Sequence, residues 1–113
     1  MDARTAEALE KSIEHWRSIV VGPLMETHLG PATCELCREF NPVVNKHIPF
    51  RDKCVGCPVY AHAGHTGCSS TPYDAAEDAL YEYWSNMTSD NESAFRAAAR
   101  QELAFLESLR EEQ

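Results

Sequence analysis

Four cysteines in two CxxC pairs are the residues of this chain whose types and spacing point most clearly to chemistry. The pairs are Cys34 with Cys37 and Cys54 with Cys57, and sixteen residues separate them. Each pair directs two thiolates at one cation, and two pairs at this separation complete a tetrahedral shell of sulfur atoms. The spacing predicts one structural Zn²⁺ ion held by these four cysteines, with no open position for a catalytic water.

A fifth cysteine leaves other ligand sets open. Cys68 follows His65 at a further two-residue spacing, and His62 lies three residues before His65. Cys68 or His65 could therefore replace one of the four cysteines, or the chain could hold two metal ions. In the structural alternative, Cys68 is a small buried apolar residue and the two histidines lie in an exposed loop.

Zinc is favoured over iron at this centre. Rubredoxin-type iron sites also use two CxxC pairs, but they usually carry glycine after the second cysteine of each pair. Here Arg38 and Pro58 occupy those positions. The odd number of cysteines, five, also argues against a closed set of disulfides.

Composition predicts a single domain in a reducing compartment. The chain has 113 residues, of which 43% are hydrophobic and 25% charged. It contains no run of eighteen apolar residues, so we expect no membrane span. The segment Met1–Glu10 is charged and has no apolar signal-peptide core, so we expect a cytoplasmic location.

The elements that position the cysteines are predicted to be mainly α-helical. We expect a helix over residues 1–22, a metal-organised cysteine-rich module over 31–72 and two helices over 72–112, all in one domain. The first helix should end at Gly22-Pro23. Its predicted inward stripe consists of apolar residues three and four apart: Ala6, Leu9, Ile13, Trp16 and Val20.

The cysteine-rich module shows no lasting helical or strand period. We expect irregular structure there, with short strands around Cys34–Phe40 and Val43–Phe50. Such a segment cannot offset its ordering entropy alone, and a structural metal would supply roughly 10 kcal/mol or more.

Capping signals begin both C-terminal helices. Thr71 and Pro72 suit the N-cap and first position of one helix, and Ser89 with Glu92 suggests a capping box for the other, from about Asn91 to Glu111. The predicted inward stripes are Ala76, Leu80, Tyr83, Trp84 and Met87 in the first helix, and Phe95, Ala99, Leu103, Leu106 and Leu109/Arg110 in the second.

The net charge of −8 is concentrated at the C-terminal end. Residues 71–113 hold ten acidic and three basic residues, which gives −7, whereas residues 34–70 hold three acidic and four basic residues, which gives +1. The acidic part repels nucleic-acid phosphates and suits a basic protein partner. In the structural alternative, which is the more common case, it is only a solvated acidic helical face.

Two alternatives rest on residues between the CxxC pairs. Lys46, His47, Arg51 and Lys53 with Phe50 would contact phosphates and stack a base in a nucleic-acid-binding module. HNH-type zinc nucleases frame a His/Asn-bearing hairpin between two such pairs, and this chain has His47, Asn41 and Asn45 there. The interval is short for that nuclease core, and no Ser/His/Asp set or phosphate-binding loop has recognisable spacing.

The ordered outline CxLC…CxGCPV…GC…TPY over residues 34–73 resembles a group of small bacteriophage proteins. The resemblance implies a phage accessory protein in the host cytoplasm in which all five cysteines matter, and it brings no activity. A weaker likeness is to the DksA/TraR-type RNA-polymerase regulators, which also have two CxxC pairs beside helices. Here Pro58 and a glycine-containing loop follow the second pair instead of a helix. The sequence thus favours a non-enzymatic zinc protein that binds another protein.

Overall fold

A computed structural model describes residues 3–24, 27, 29, 35–40, 45–47, 57–59 and 71–111. These ranges contain four helices, two further helical residues (Pro58 and Val59) where the sequence predicted a loop after the second cysteine pair, and no strand, so the predicted mainly α fold is confirmed. None of the described helices combines the length and the apolar character needed to cross a membrane. The helices are α1 (Ala3–Val21), α2 (Glu35–Phe40), α3 (Pro72–Ser85) and α4 (Ser89–Glu111).

Helix α1 ends where glycine and proline were expected to end it. A Cβ atom on Gly22 would lie 2.6 Å from the carbonyl oxygen of Ser18. This contact is with backbone, so a larger residue would force the chain to shift. Pro23 follows and has no N–H with which to continue the helix.

The buried face of α1 is rotated slightly from the predicted one. Leu9, Ile13 and Trp16 are buried as predicted, whereas Ala6 and Val20 are only partly buried. The burial of polar residues explains the difference, because the prediction followed apolar residues alone. The full buried set is Thr5, Ala8, Leu9, Ser12, Ile13, Trp16 and Ile19.

The strand predicted around Cys34–Phe40 is wrong, because residues 35–40 form helix α2. Leu36 and Phe40 are four residues apart and therefore share one helical face. Leu36 is buried at 2% exposure and Phe40 packs against the same core. Of the second predicted strand, only residues 45–47 lie among the described residues, and they form a turn.

Helices α3 and α4 form a helical hairpin joined by residues 86–88. Thr71 is the N-cap of α3, with its hydroxyl accepting from the Tyr73 N–H, and Pro72 follows as predicted. The cap of α4 differs from the prediction. The hydroxyl of Thr88 accepts from the Asn91 N–H at 3.1 Å, so Thr88 caps the helix and Ser89 is its first residue.

The predicted stripe of α3 holds only in its first half. Ala76 and Leu80 are buried, and Tyr83 is partly buried against the core. Trp84, in the last turn of α3, is 37% exposed. Met87 is 54% exposed, because α3 ends at Ser85 and Met87 lies in the connection to α4. In α4, Glu102 is buried where the neighbouring Leu103 was expected, and Leu103 is only partly buried.

One helix, α4, packs against both α1 and α3. Arg96 contacts the C-terminal end of α1 and Arg110 contacts Glu10, so α1 and α4 run antiparallel. The ring of Trp16 also meets the ring of Tyr73 edge-on, with centroids 6.2 Å apart, which ties α1 to α3. The buried apolar residues of α4 are Phe95, Ala99, Leu106 and Leu109.

Arg96 joins the end of α1 to α4. Its guanidinium donates to the carbonyl oxygen of Val20 at 2.6 Å and to that of Gly22 at 3.1 Å. The same group pairs with Glu92 one turn earlier at 3.0 Å. Carbonyl groups in the last turn of a helix have no partner within the helix, so this cation both satisfies them and complements the helix dipole.

We predict that Arg96→Met lowers the free energy of unfolding by about 1–2 kcal/mol, because charge-assisted hydrogen bonds to the end of α1 are lost. Arg100→Met is the matched control, since Arg100 is exposed one turn further along α4. It should change stability by less than about 0.5 kcal/mol. Urea unfolding of both variants measures the difference, and equal losses would refute the role assigned to Arg96.

We predict that Thr88→Ala destabilises the chain by about 1 kcal/mol through loss of the α4 cap. Ser89→Ala should have an effect below about 0.5 kcal/mol, since Ser89 is exposed in the first turn. Thermal unfolding of the two variants decides between the caps. A larger loss for Ser89→Ala would restore the capping box expected from the sequence.

Candidate metal centre

Helix α2 carries the second cysteine of the first CxxC pair. Cys37 lies within α2, and Cys34 directly precedes that helix in the sequence. Of the four predicted ligands, Cys57 is the one whose side chain is described. The remaining candidates lie outside the described residues: Cys34, Cys54, Cys68, His62 and His65.

Both cysteine pairs are tied to the helical core through apolar neighbours. Leu36, inside the first pair, is 2% exposed, and Val59, two residues after the second pair, is 5% exposed. Cys57 itself is 7% exposed. All three side chains belong to the same hydrophobic cluster as Phe95 and Ile13. The core therefore anchors one residue inside the first pair, Leu36, and two residues at the second pair, Cys57 and Val59.

The chemistry of the donor set fits zinc. Four thiolates prefer a soft or borderline cation with tetrahedral geometry, and Zn²⁺ in a closed thiolate shell is a structural ion. The burial of Cys57 agrees with a structural role, because a reactive thiol requires solvent access. Cys34, Cys37, Cys54 and Cys57 would hold the ion, which would cross-link the start of α2 to the segment before Val59.

Among the residues that the structure describes, no group of three or more His, Cys, Asp or Glu side chains is placed to hold a metal. Three of the four cysteine side chains lie outside that part of the chain. The four-cysteine centre and its alternatives with Cys68 or His65 stay predictions.

The turn at residues 45–47 bears on the nuclease and nucleic-acid alternatives. The side-chain amide of Asn45 donates to the carbonyl oxygen of Arg38 at 2.9 Å, and its oxygen accepts from the His47 N–H at 3.1 Å. Asn45 thus holds the turn against the end of α2. Lys46 and His47 are exposed, while the other residues of these alternatives lie outside the described ranges: Asn41, Phe50, Arg51 and Lys53.

Comparison with known proteins identifies no relative of this chain: no family model, curated protein or solved structure matches it. The fold and the residues themselves therefore carry the functional argument.

We predict that native mass spectrometry with elemental analysis finds one zinc ion per chain in the wild type and in Cys68→Ser. Four thiolates complete the coordination of the ion without Cys68. Cys57→Ser is the positive control and should lose the ion. Loss of zinc from Cys68→Ser, or two ions in the wild type, would show that the loop containing His65 and Cys68 belongs to the site.

Proposed function

We propose that this chain is a non-enzymatic zinc-binding accessory protein of the phage type that acts in the cytoplasm by binding a basic protein, such as a host factor. The two CxxC pairs carry the proposal. Their spacing suits a closed zinc shell, and such a shell stabilises structure and leaves no site for substrate. The outline that resembles small bacteriophage proteins supports the accessory role.

Burial at the second cysteine pair supports a structural metal. Cys57 and Val59 lie in the hydrophobic core, so the segment that would bind zinc also completes the packing of the helices. Binding free energy at such a site is folding free energy. Zinc would thereby support the surface that α3 and α4 present to a partner.

The distribution of charge supports a protein partner over nucleic acid. Residues 71–95 contain six acidic residues and no lysine or arginine. Four of the six belong to α3, which carries no basic residue: Asp74, Glu77, Asp78 and Glu82. Phosphates would be repelled by this surface, whereas a cationic protein would be attracted to it and held in a preferred orientation.

We predict that the zinc-loaded chain, immobilised, captures a specific protein from a bacterial lysate after nuclease treatment. Capture should weaken as salt rises, because the attraction is partly electrostatic. The chelated chain should lose both capture and helical circular dichroism, since metal removal unfolds the cysteine-rich segment and its contacts with the helices.

Two controls make the capture experiment decisive. The variant with Cys54→Ser and Cys57→Ser has the same formal charge as the chelated protein. It should likewise lose capture and helical circular dichroism. Capture that occurs in an untreated lysate and is lost after nuclease treatment would support the nucleic-acid alternative instead. The absence of any zinc-dependent partner at micromolar concentration would contradict the proposed function.

A further inference from the structure

Two aromatic side chains near the C-terminal end of α3 are exposed. Tyr81 is 54% exposed and Trp84 is 37% exposed, and Met87, which follows in the connection to α4, is 54% exposed. We call Tyr81, Trp84 and Met87 the apolar end patch. Exposed aromatic and methionine side chains are typical of protein-binding surfaces.

Contacts at the ends of three helices bring the patch together. The indole N–H of Trp84 donates to the carbonyl oxygen of Leu24 at 3.4 Å, which places Trp84 beside the chain that leaves α1 after Val21. The rings of Tyr81 and Trp84 are 5.8 Å apart between centroids. Met87 follows in the connection from α3 to α4. The C-terminal ends of α1 and α3 and the N-terminal end of α4 therefore meet here.

This end of the molecule is also acidic. Asp78 is exposed on α3 one helical turn before Tyr81, Asp74 is exposed two turns before Tyr81 on the same face, and Asp90 is exposed in the first turn of α4. Arg96, the nearest cation in the sequence of the hairpin, is 22% exposed in its side chain and is engaged by Glu92 and two carbonyl oxygens of the α1 end. The patch thus combines an apolar centre with an anionic rim.

We propose that the apolar end patch is the docking surface for a basic amphipathic segment of the partner protein. An apolar anchor of that segment would pack against Trp84 and Tyr81, while its lysine or arginine side chains would pair with Asp74 and Asp78. This inference rests on the proposed function and deepens it. Aromatic residues surrounded by polar rims dominate the energetics of many interfaces.

Charge argues against a second copy of this chain as the occupant. The chain carries a net charge of −8, and its patch is bordered by carboxylates. Two copies joined through this patch would bring Asp74, Asp78 and Asp90 close to like charges, which is unfavourable. A cationic segment would avoid that repulsion and would be attracted to the carboxylates that border the patch.

The test is selection of random displayed peptides on the zinc-loaded wild-type chain, followed by counter-selection on the double variant Tyr81→Lys with Met87→Lys. We expect the peptides removed by counter-selection to be basic and to carry apolar residues at helical spacing. Their binding should weaken by about tenfold or more in the double variant. The NMR signals of the Trp84 indole N–H and the Met87 methyl should shift when such a peptide is added.

A charge-matched pair of variants tests the rim. Asp78→Lys should weaken peptide binding, whereas Glu7→Lys, which makes the same change in charge on the partly exposed surface of α1, should leave it unchanged. Circular dichroism of each variant checks the fold. Peptides without basic residues, binding that is equal in all variants, or self-association that Tyr81→Lys abolishes would overturn the docking surface. A natural partner captured equally well by the double variant would refute the patch and leave the proposed function standing.

Discussion

The buried face of α4 is the constraint on which the rest of the described structure depends. Phe95 and Ala99 on this face are completely buried, and α4 is in contact with both α1 and α3. The small side chain of Ala99 permits a close approach of neighbouring backbone, and burial of a side chain as large as Phe95 contributes about 2–3 kcal/mol. Because α1 runs antiparallel to α4 and α3 joins it through a short connection, three helix ends are brought to one place.

That arrangement separates the two regions to which function is assigned. Helix α2 is joined to the start of α1 by the ion pair between Arg4 and Glu39, whereas Trp84 of the apolar end patch contacts Leu24, just after the end of α1 at Val21. Arg4 and Val21 are separated by most of the length of α1, about 25 Å at the usual rise per residue. The helix that carries Cys37 and the exposed aromatic residues thus lie toward opposite ends of α1. A metal near α2 would act on the patch through the fold and not by direct contact.

The positions of α1 and α3 were predictable from sequence because their boundaries carry local chemical signals, whereas α2 was predicted as a strand. Gly22-Pro23 ends α1 and Thr71-Pro72 begins α3, and each signal acts through its own backbone. The cap of α4 was not predictable in the same way. Thr88 and Ser89 are adjacent residues with equivalent hydroxyl groups, and the choice depends on where the connection from α3 lets the first turn form.

The buried stripes were harder to predict because they include polar residues. In α4 the buried positions 95, 99, 102, 106 and 109 alternate in steps of four and three, and Glu102 occupies the middle one. In α1 the same alternation includes Thr5 and Ser12. A search for apolar residues passes over these positions and selects a neighbour, such as Leu103 or Ala6. Tertiary packing of α1 on α4 decides the phase of both stripes, and a hydropathy pattern read along one helix does not contain that information.

The short helix α2 shows how the core and the cysteine-rich segment depend on one another. Six residues are too few to form a stable helix alone, since nucleation is unfavourable and few hydrogen bonds follow it. Leu36 and Phe40 pack against the core and supply part of what the helix lacks. The core in turn contains Leu36, Cys57 and Val59, so it is complete only when this segment is ordered. Under the proposed function, zinc would order the segment and the segment would complete the core. The surface formed by α1, α3 and α4 would then reach its binding geometry only in the metal-bound chain.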